Sequence, residues 1–168
     1  NPDELIVGVE IRAWTCALVP DAVADFDRVL PLVRESVARG GDPMPGSIGA
    51  LQYRAGHVAD AVEALTEASR AWELTGSIVS PGSYHDLLPG YTWYFLAMAC
   101  HDLGRFAESR TWYDKAEAYT QTALARPAVS DQLDSSNWLR QHAVNWHQRV
   151  VLERLQREAR TMLGVAEP

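Results

Sequence analysis

Residues 93–119 read WYFLAMACHDLGRFAESRTWYDKAEAY, two runs of large apolar residues at helical spacing on either side of one short break, Leu103-Gly104-Arg105. Apolar residues recurring three and four positions apart make one face of a helix, and a glycine between two such runs supplies the left-handed backbone that ends the first. The stretch predicts two short amphipathic helices joined by a tight turn. One such pair cannot cover its own apolar face, so other parts of the chain must pack on it.

An earlier stretch repeats the arrangement. Placing GALQYRAGHVADAVEALTEASRAW (49–72) over AMACHDLGRFAESRTWYDKAEAY (97–119) puts Gly49 on Ala97, Gly56 on Gly104, Ala61 on Ser109, Leu65 on Tyr113 and Ala68 on Ala116. Small residues recur where helices must approach closely, and bulky ones where a gap must be filled. The first unit takes residues 43–74, with a helix from Gly46 to Arg54 and another from about Val58 to Leu74. The second takes residues 91–125.

This pattern resembles the tetratricopeptide repeat, whose signature is Trp, Leu and Gly early in one helix, Gly at the turn, then Ala, an aromatic and Ala along the next. Trp93, Leu96, Ala97, Gly104, Ser109, Tyr113 and Ala116 take those places in the second unit, and Ile48, Gly49, Tyr53, Gly56, Ala61, Leu65 and Ala68 in the first. Pro45 stands where the first unit would carry the Trp, and Glu73 and Gln121 replace the proline that closes a repeat. The turn glycines lie 48 residues apart, against a family period of about 34. The excess falls in residues 75–90, TGSIVSPGSYHDLLPG, which read as an inserted loop. In wording the two units are similar to repeats appended to large multidomain bacterial regulators, some of which carry Ser/Thr kinase domains, although no kinase motif occurs in this chain.

Working outward, Leu5–Leu18 reads as a helix ended by Val19-Pro20. Phe26, Val29, Leu30, Val33 and Val37 then form an amphipathic face that stops at Gly40-Gly41. Pro31 near its start points to a helix beginning around Leu30 rather than Asp25. Residues 4–41 thus make a degenerate helix pair. At the other end, residues 135–163 predict a capping helix, with Ser135 or Ser136 as its N-cap and Leu152, Leu155, Ala159 and Met162 as a narrow stripe for one neighbour. No sustained alternation of β-branched and polar residues predicts a strand. The expected fold is all-α: a short right-handed α-solenoid of antiparallel helix pairs with a C-terminal capping helix.

The resemblance implies a function as well as a fold. In that family the first helix of each pair lines a concave groove, which makes Ala50, Tyr53 and Arg54, and Tyr91, Tyr94, Met98, His101 and Asp102, the candidate partner-binding residues. Tyr, Met and Arg side chains suit a peptide groove because they bury area at little entropic cost and keep a polar handle. The same side chains could also pack between helices. Relatives that clamp a terminal carboxylate use asparagines where Ser47 and Phe95 stand here, so a carboxylate clamp is not expected. The inserted loop carries Ile78, Val79, Tyr84, His85, Leu87 and Leu88, an apolar load that implies a lid over the groove or a docking element.

Composition narrows the partners. The chain has 168 residues, 47% hydrophobic, with a formal net charge of −7, enough for one domain with a core and unsuited to a nucleic-acid surface. No run of about 18 apolar residues predicts a membrane span. Cys16 and Cys100 lie in apolar helical patterns, which points to a reduced, cytoplasmic setting. The absence of an initiating Met points to a piece of a longer polypeptide. The five histidines show no metal-ligand spacing, and His142 and His147, five apart, face different sides of a helix. No phosphate loop, dinucleotide fingerprint or nucleophile elbow is present, so neither catalysis nor a cofactor is expected.

The leading expectation is a non-catalytic protein–protein interaction module that binds a peptide or neighbouring domain in its concave face. Two alternatives stand beside it. One is self-association through Trp138, Trp146 and the terminal helix, whose arginines at 140, 149, 154, 157 and 160 face only Glu153 and Glu158. The other is the regulatory tail of a larger multidomain enzyme.

Overall fold

Prolines open and glycines close the helices that organise this chain. The computed structural model describes residues 14–20, 22–39, 45–75, 88–125, 144 and 146–166. Residues 14–17 are helical and lead through a turn to a short 3-10 segment, Phe26–Arg28, where Asp25 caps the backbone N–H of Asp27 at 3.0 Å. Six α-helices follow: α1 (Leu30–Ala38), α2 (Pro45–Arg54), α3 (Val58–Thr75), α4 (Pro89–Asp102), α5 (Phe106–Ala125) and α6 (Trp146–Leu163). Among the described residues there is no strand. Pro31, Pro45 and Pro89 all lie in first turns, where the missing N–H costs nothing and the fixed φ suits a helix. For the same reason α4 begins two residues before the expected Tyr91.

The two tight turns are built alike. Gly56 has φ +82° and Gly104 φ +71°, and each closes a two-bond helix cap. The N–H of His57 donates to Gln52 O at 2.9 Å and that of Gly56 to Tyr53 O at 3.0 Å; 48 residues on, Arg105 donates to Cys100 O at 2.8 Å and Gly104 to His101 O at 2.9 Å. The following helices start alike too, with Ala61 N–H on His57 O and Ser109 N–H on Arg105 O, both 2.9 Å. A side chain with a Cβ in the left-handed region would cost about 1–2 kcal/mol at either turn. The turn glycines thus reverse the chain and make α2–α3 and α4–α5 antiparallel pairs.

The pairs stack. α3 packs on both α2 and α4, α4 packs on α5, and α2 touches α4 directly. Close approach within the first pair depends on Gly49, where a Cβ would come within 2.6 Å of Leu65 Cγ. Between pairs, the indole N–H of Trp93 donates to buried Ser69 Oγ at 2.9 Å; within the second pair, Ser109 Oγ donates to Ala97 O at 2.7 Å. The core runs through Leu51, Leu65, Leu96, Leu152 and Leu155, all fully buried.

The terminal helix does not sit simply over the last helix of the array. It lies mainly along α4, with a lesser edge on α5, and Arg149 Nη2 returns to Leu124 O at the end of α5 at 3.0 Å. The remainder of the first expected helix (5–13), the inserted loop from 76 to 87 and the expected start of the capping helix (135–143) lie outside the described residues.

Candidate functional site

Every residue of α4 from Pro89 to Cys100 is buried. A helix covered on all sides needs neighbours all round, and α4 has them in α2, α3, α5 and α6. Its apolar sequence, PGYTWYFLAMAC, is the local reason: no polar stripe is left to face water. α4 is the floor of a trough between α2 and α5, and α6 shares that trough with residues 14–18: Trp14 stacks on Tyr91 at 5.5 Å and meets Phe95 edge-on at 6.3 Å, and Arg154 Nε of α6 donates to Leu18 O at 2.8 Å.

The direction of α6 follows from its partners. Tyr91, near the start of α4, donates its hydroxyl to Gln148 O at 3.1 Å, and Tyr53, near the end of α2, lies 3.6 Å from Met162 Sδ. Since α2 and α4 occupy matching places in their pairs, α6 runs parallel to both. At the upstream end Gly90 provides the clearance, because a Cβ there would stand 2.9 Å from both Leu152 Cδ2 and Tyr119 Cδ1.

Leu152, Leu155 and Ala159 are the fully buried residues of α6. Burying the two leucines contributes about 3–6 kcal/mol together, a modest hold on an 18-residue helix. Register is set on the flanks. Residues of a helix are about 100° apart, so Glu158 and Arg160 project to opposite sides of Ala159, and each meets its opposite charge.

On the α2 side, Arg54 forks onto the Glu158 carboxylate, with Nη1 on Oε1 and Nη2 2.9 Å from Oε2. Its Nε donates to Ala17 O at 2.7 Å, and its guanidinium lies 5.1 Å from the Phe95 ring centroid and 5.5 Å from that of Tyr53. The Arg54 side chain is 5% exposed and that of Glu158 24%. On the α5 side, Glu117 gathers three donors: Tyr94 OH at 2.9 Å, Gln156 Nε2 at 2.9 Å and Arg160 Nη2 at 3.2 Å. Thr120 Oγ1 is 3.0 Å from the Tyr94 hydroxyl, and Arg160 Nε donates to Tyr113 OH at 3.2 Å.

Burial dominates the chemistry of the tyrosines. It pushes Tyr53, Tyr91 and Tyr94 well above the ordinary phenol range, assisted at Tyr53 by the neighbouring Asp102 carboxylate, while at Tyr94 the Thr120 hydroxyl opposes the rise. They stay neutral donors. Burial likewise pushes the Cys100 thiol up to about 11, away from nucleophilic use.

The expected site residues separate into two groups. Tyr53, Arg54, Tyr91, Tyr94 and Met98 come together, with Ala50 fully buried nearby in sequence, but they face the chain's own α6 and packed neighbours rather than an open groove. His101 and Asp102 lie at the end of α4, where the His101 ring meets Phe106 edge-on at 5.3 Å and the exposed Asp102 still has its carboxylate beside Tyr53. The sequence reading missed Glu117, Tyr113 and Thr120 on the second helix of the pair. It also missed the Glu158-Ala159-Arg160 triplet, whose opposite charges flank a residue of the apolar stripe and were visible as a pattern.

Among the described residues no group of three or more His, Cys, Asp or Glu side chains could hold a metal ion, and no helix is long and apolar enough to cross a membrane. The geometry offers a helix-sized trough with the Arg54 guanidinium on one side and the Glu117 carboxylate on the other. No protein-family model, no curated protein and no solved structure matches this chain.

Proposed function

We propose that this chain is a non-catalytic protein–protein interaction module of the tetratricopeptide-like kind, a short right-handed array that binds a peptide or a neighbouring domain on the face formed by the first helices of its pairs. The observation that carries the reading is the trough: α4 is buried all round, and a helix lies on that face between the Arg54 guanidinium and the Glu117 carboxylate. The two glycine turns, alike bond for bond at a spacing of 48 residues, support the repeat. The net charge of −7 favours a protein partner over nucleic acid, and two free cysteines suit a reducing cytoplasm.

Affinity capture from a bacterial lysate tests it, with the wild-type chain and the double variant Glu158→Arg/Arg160→Glu as baits. The variant sets like charges against Arg54 and Glu117 and leaves the trough residues intact. A partner enriched about tenfold or more on the variant is the expected result. Identical captures on both baits, with no partner lost in Arg54→Glu, would remove the trough from the binding reaction.

A second reading rests on the outer face of α6. Trp146 is 55% and Val150 57% exposed, one turn apart, which favours self-association through the terminal helix. Light scattering separates the two, since a dimer at tens of micromolar that is lost in Trp146→Ala would favour this second reading.

A further inference from the structure

The groups that grip α6 do not depend on α6 for their own positions. Arg54 is tied through Nε to Ala17 O and bracketed by the Phe95 and Tyr53 rings, and only its two terminal nitrogens reach Glu158. Glu117 is held by the Tyr94 hydroxyl, itself within hydrogen-bond distance of Thr120. Both recognition charges are therefore aimed into the trough by the array, and preorganised groups bind without a fresh ordering cost.

An empty trough would uncover the surface of α4 around Gly90 that Leu152 now covers, and would leave the Tyr91 hydroxyl without Gln148 O, while Trp14 stays on the Tyr91 and Phe95 rings. Simple opening is opposed; replacement of one helix by another of the same pattern is not. α6 is suited to such an exchange. Leu152, Leu155 and Ala159 are its fully buried residues, and nine of its eighteen residues are Arg, Glu, Gln or His, so a released α6 is a water-compatible amphipathic segment.

We infer that the trough is a receptor for an amphipathic helix and that α6 is its resident competitor. The ligand carries apolar residues at positions corresponding to 152 and 155, a small residue at 159, an acid on the Arg54 flank and a base on the Glu117 flank, and it runs parallel to α4. This rests on the reading of the chain as an interaction module and specifies its partner. An extended peptide fits poorly, because at about 3.3 Å per residue it would carry Glu158 and Arg160 along the trough instead of onto opposite walls. The carboxylate and the guanidinium flanking Ala159 match a helical register. Since α6 belongs to the same chain as the trough, its competition is intramolecular. A ligand in trans therefore binds with an affinity reduced by the closed fraction.

The probe is a fluorescein-labelled synthetic peptide of residues 144–166, titrated by anisotropy into the full chain, wild type and Glu158→Arg/Arg160→Glu. Binding at least tenfold tighter to the variant than to wild type, with a peptide carrying both reversals binding neither, is the expected result. Equal binding to the two folded proteins, or none, overturns the inference. Hydrogen exchange on the wild-type chain covers a variant that fails to fold. The amides of α6 are expected to exchange at least tenfold faster than those of α4, through an opening that leaves α4 and α5 protected; α6 and α4 exchanging together would make α6 permanent core and overturn it. If the peptide fails while a lysate partner is lost in Arg54→Glu but retained by both α6 baits, the helix-ligand inference falls and the interaction module stands.

Discussion

Arg54 is where the two ends of the chain converge, through Ala17 O on one side and the Glu158 carboxylate on the other. Arg54→Ala removes three donors and leaves a mostly buried carboxylate and a carbonyl without them. Breaking a buried pair costs about 3–5 kcal/mol; with Glu158 24% exposed, a loss of about 2–4 kcal/mol is expected in urea unfolding. Arg54→Lys is expected to recover less than half of it, because one ammonium cannot fork onto the carboxylate and reach Ala17 as well. A loss below 0.5 kcal/mol for the alanine variant would mean that this pair does not anchor α6. Singling out Arg54 needed nothing beyond the repeat register. Its partners, 37 and 104 residues away, were not legible, because no local pattern encodes which distant helix a charge will face.

At the scale of helices, the pair α2–α3 depends on an approach close enough to exclude a methyl group. Gly49→Ala gains about 1 kcal/mol of helix propensity, but the new Cβ would lie 2.6 Å from Leu65 Cγ and 3.1 Å from the Leu65 backbone N, and overpacking costs about 1–3 kcal/mol. The net expectation is a loss of up to about 2 kcal/mol, read as a lower thermal midpoint; a rise would show that α3 yields without strain. The alignment of Gly49 with Ala97 had marked this approach, as had Gly56 and Gly104 the turns, because close contacts and left-handed backbones demand particular residue types. The seat of α6 was less visible. Its stripe of Leu152, Leu155, Ala159 and Met162 predicted one neighbour, and the helix in fact packs mainly on α4, reaches α2 through Met162 and Glu158, and reaches α5 through Gln156 and Arg160. Polar residues on a helix look alike in sequence whether they face water or a wall.

For the molecule as a whole, the buried phenols set an alkaline limit. Tyr53, Tyr91 and Tyr94 hold their protons in the folded chain above their ordinary value of 10.0, and Cys100 up to about 11 against 9.0. The unfolded chain releases these protons first, so it binds fewer of them, and stability falls as pH rises past 9 and then 10. Each group contributes a slope of about 1.4 kcal/mol per pH unit in that window. Melting followed by circular dichroism is expected to hold steady from pH 7 to 8.5 and to drop steeply above 10, with phenolate absorbance from these three tyrosines appearing only on unfolding. All six tyrosines ionising in the folded chain at pH 10 would contradict their burial. The hydrogen bond between Arg149 and Leu124 has a practical corollary. The end of α5 and the first turn of α6 stand side by side, and doubling the length of a loop between neighbouring ends costs only about 0.6 kcal/mol. That junction is the place to splice in a reporter domain, with the trough left untouched and the inserted fluorophore carried beside the helix whose departure it would record.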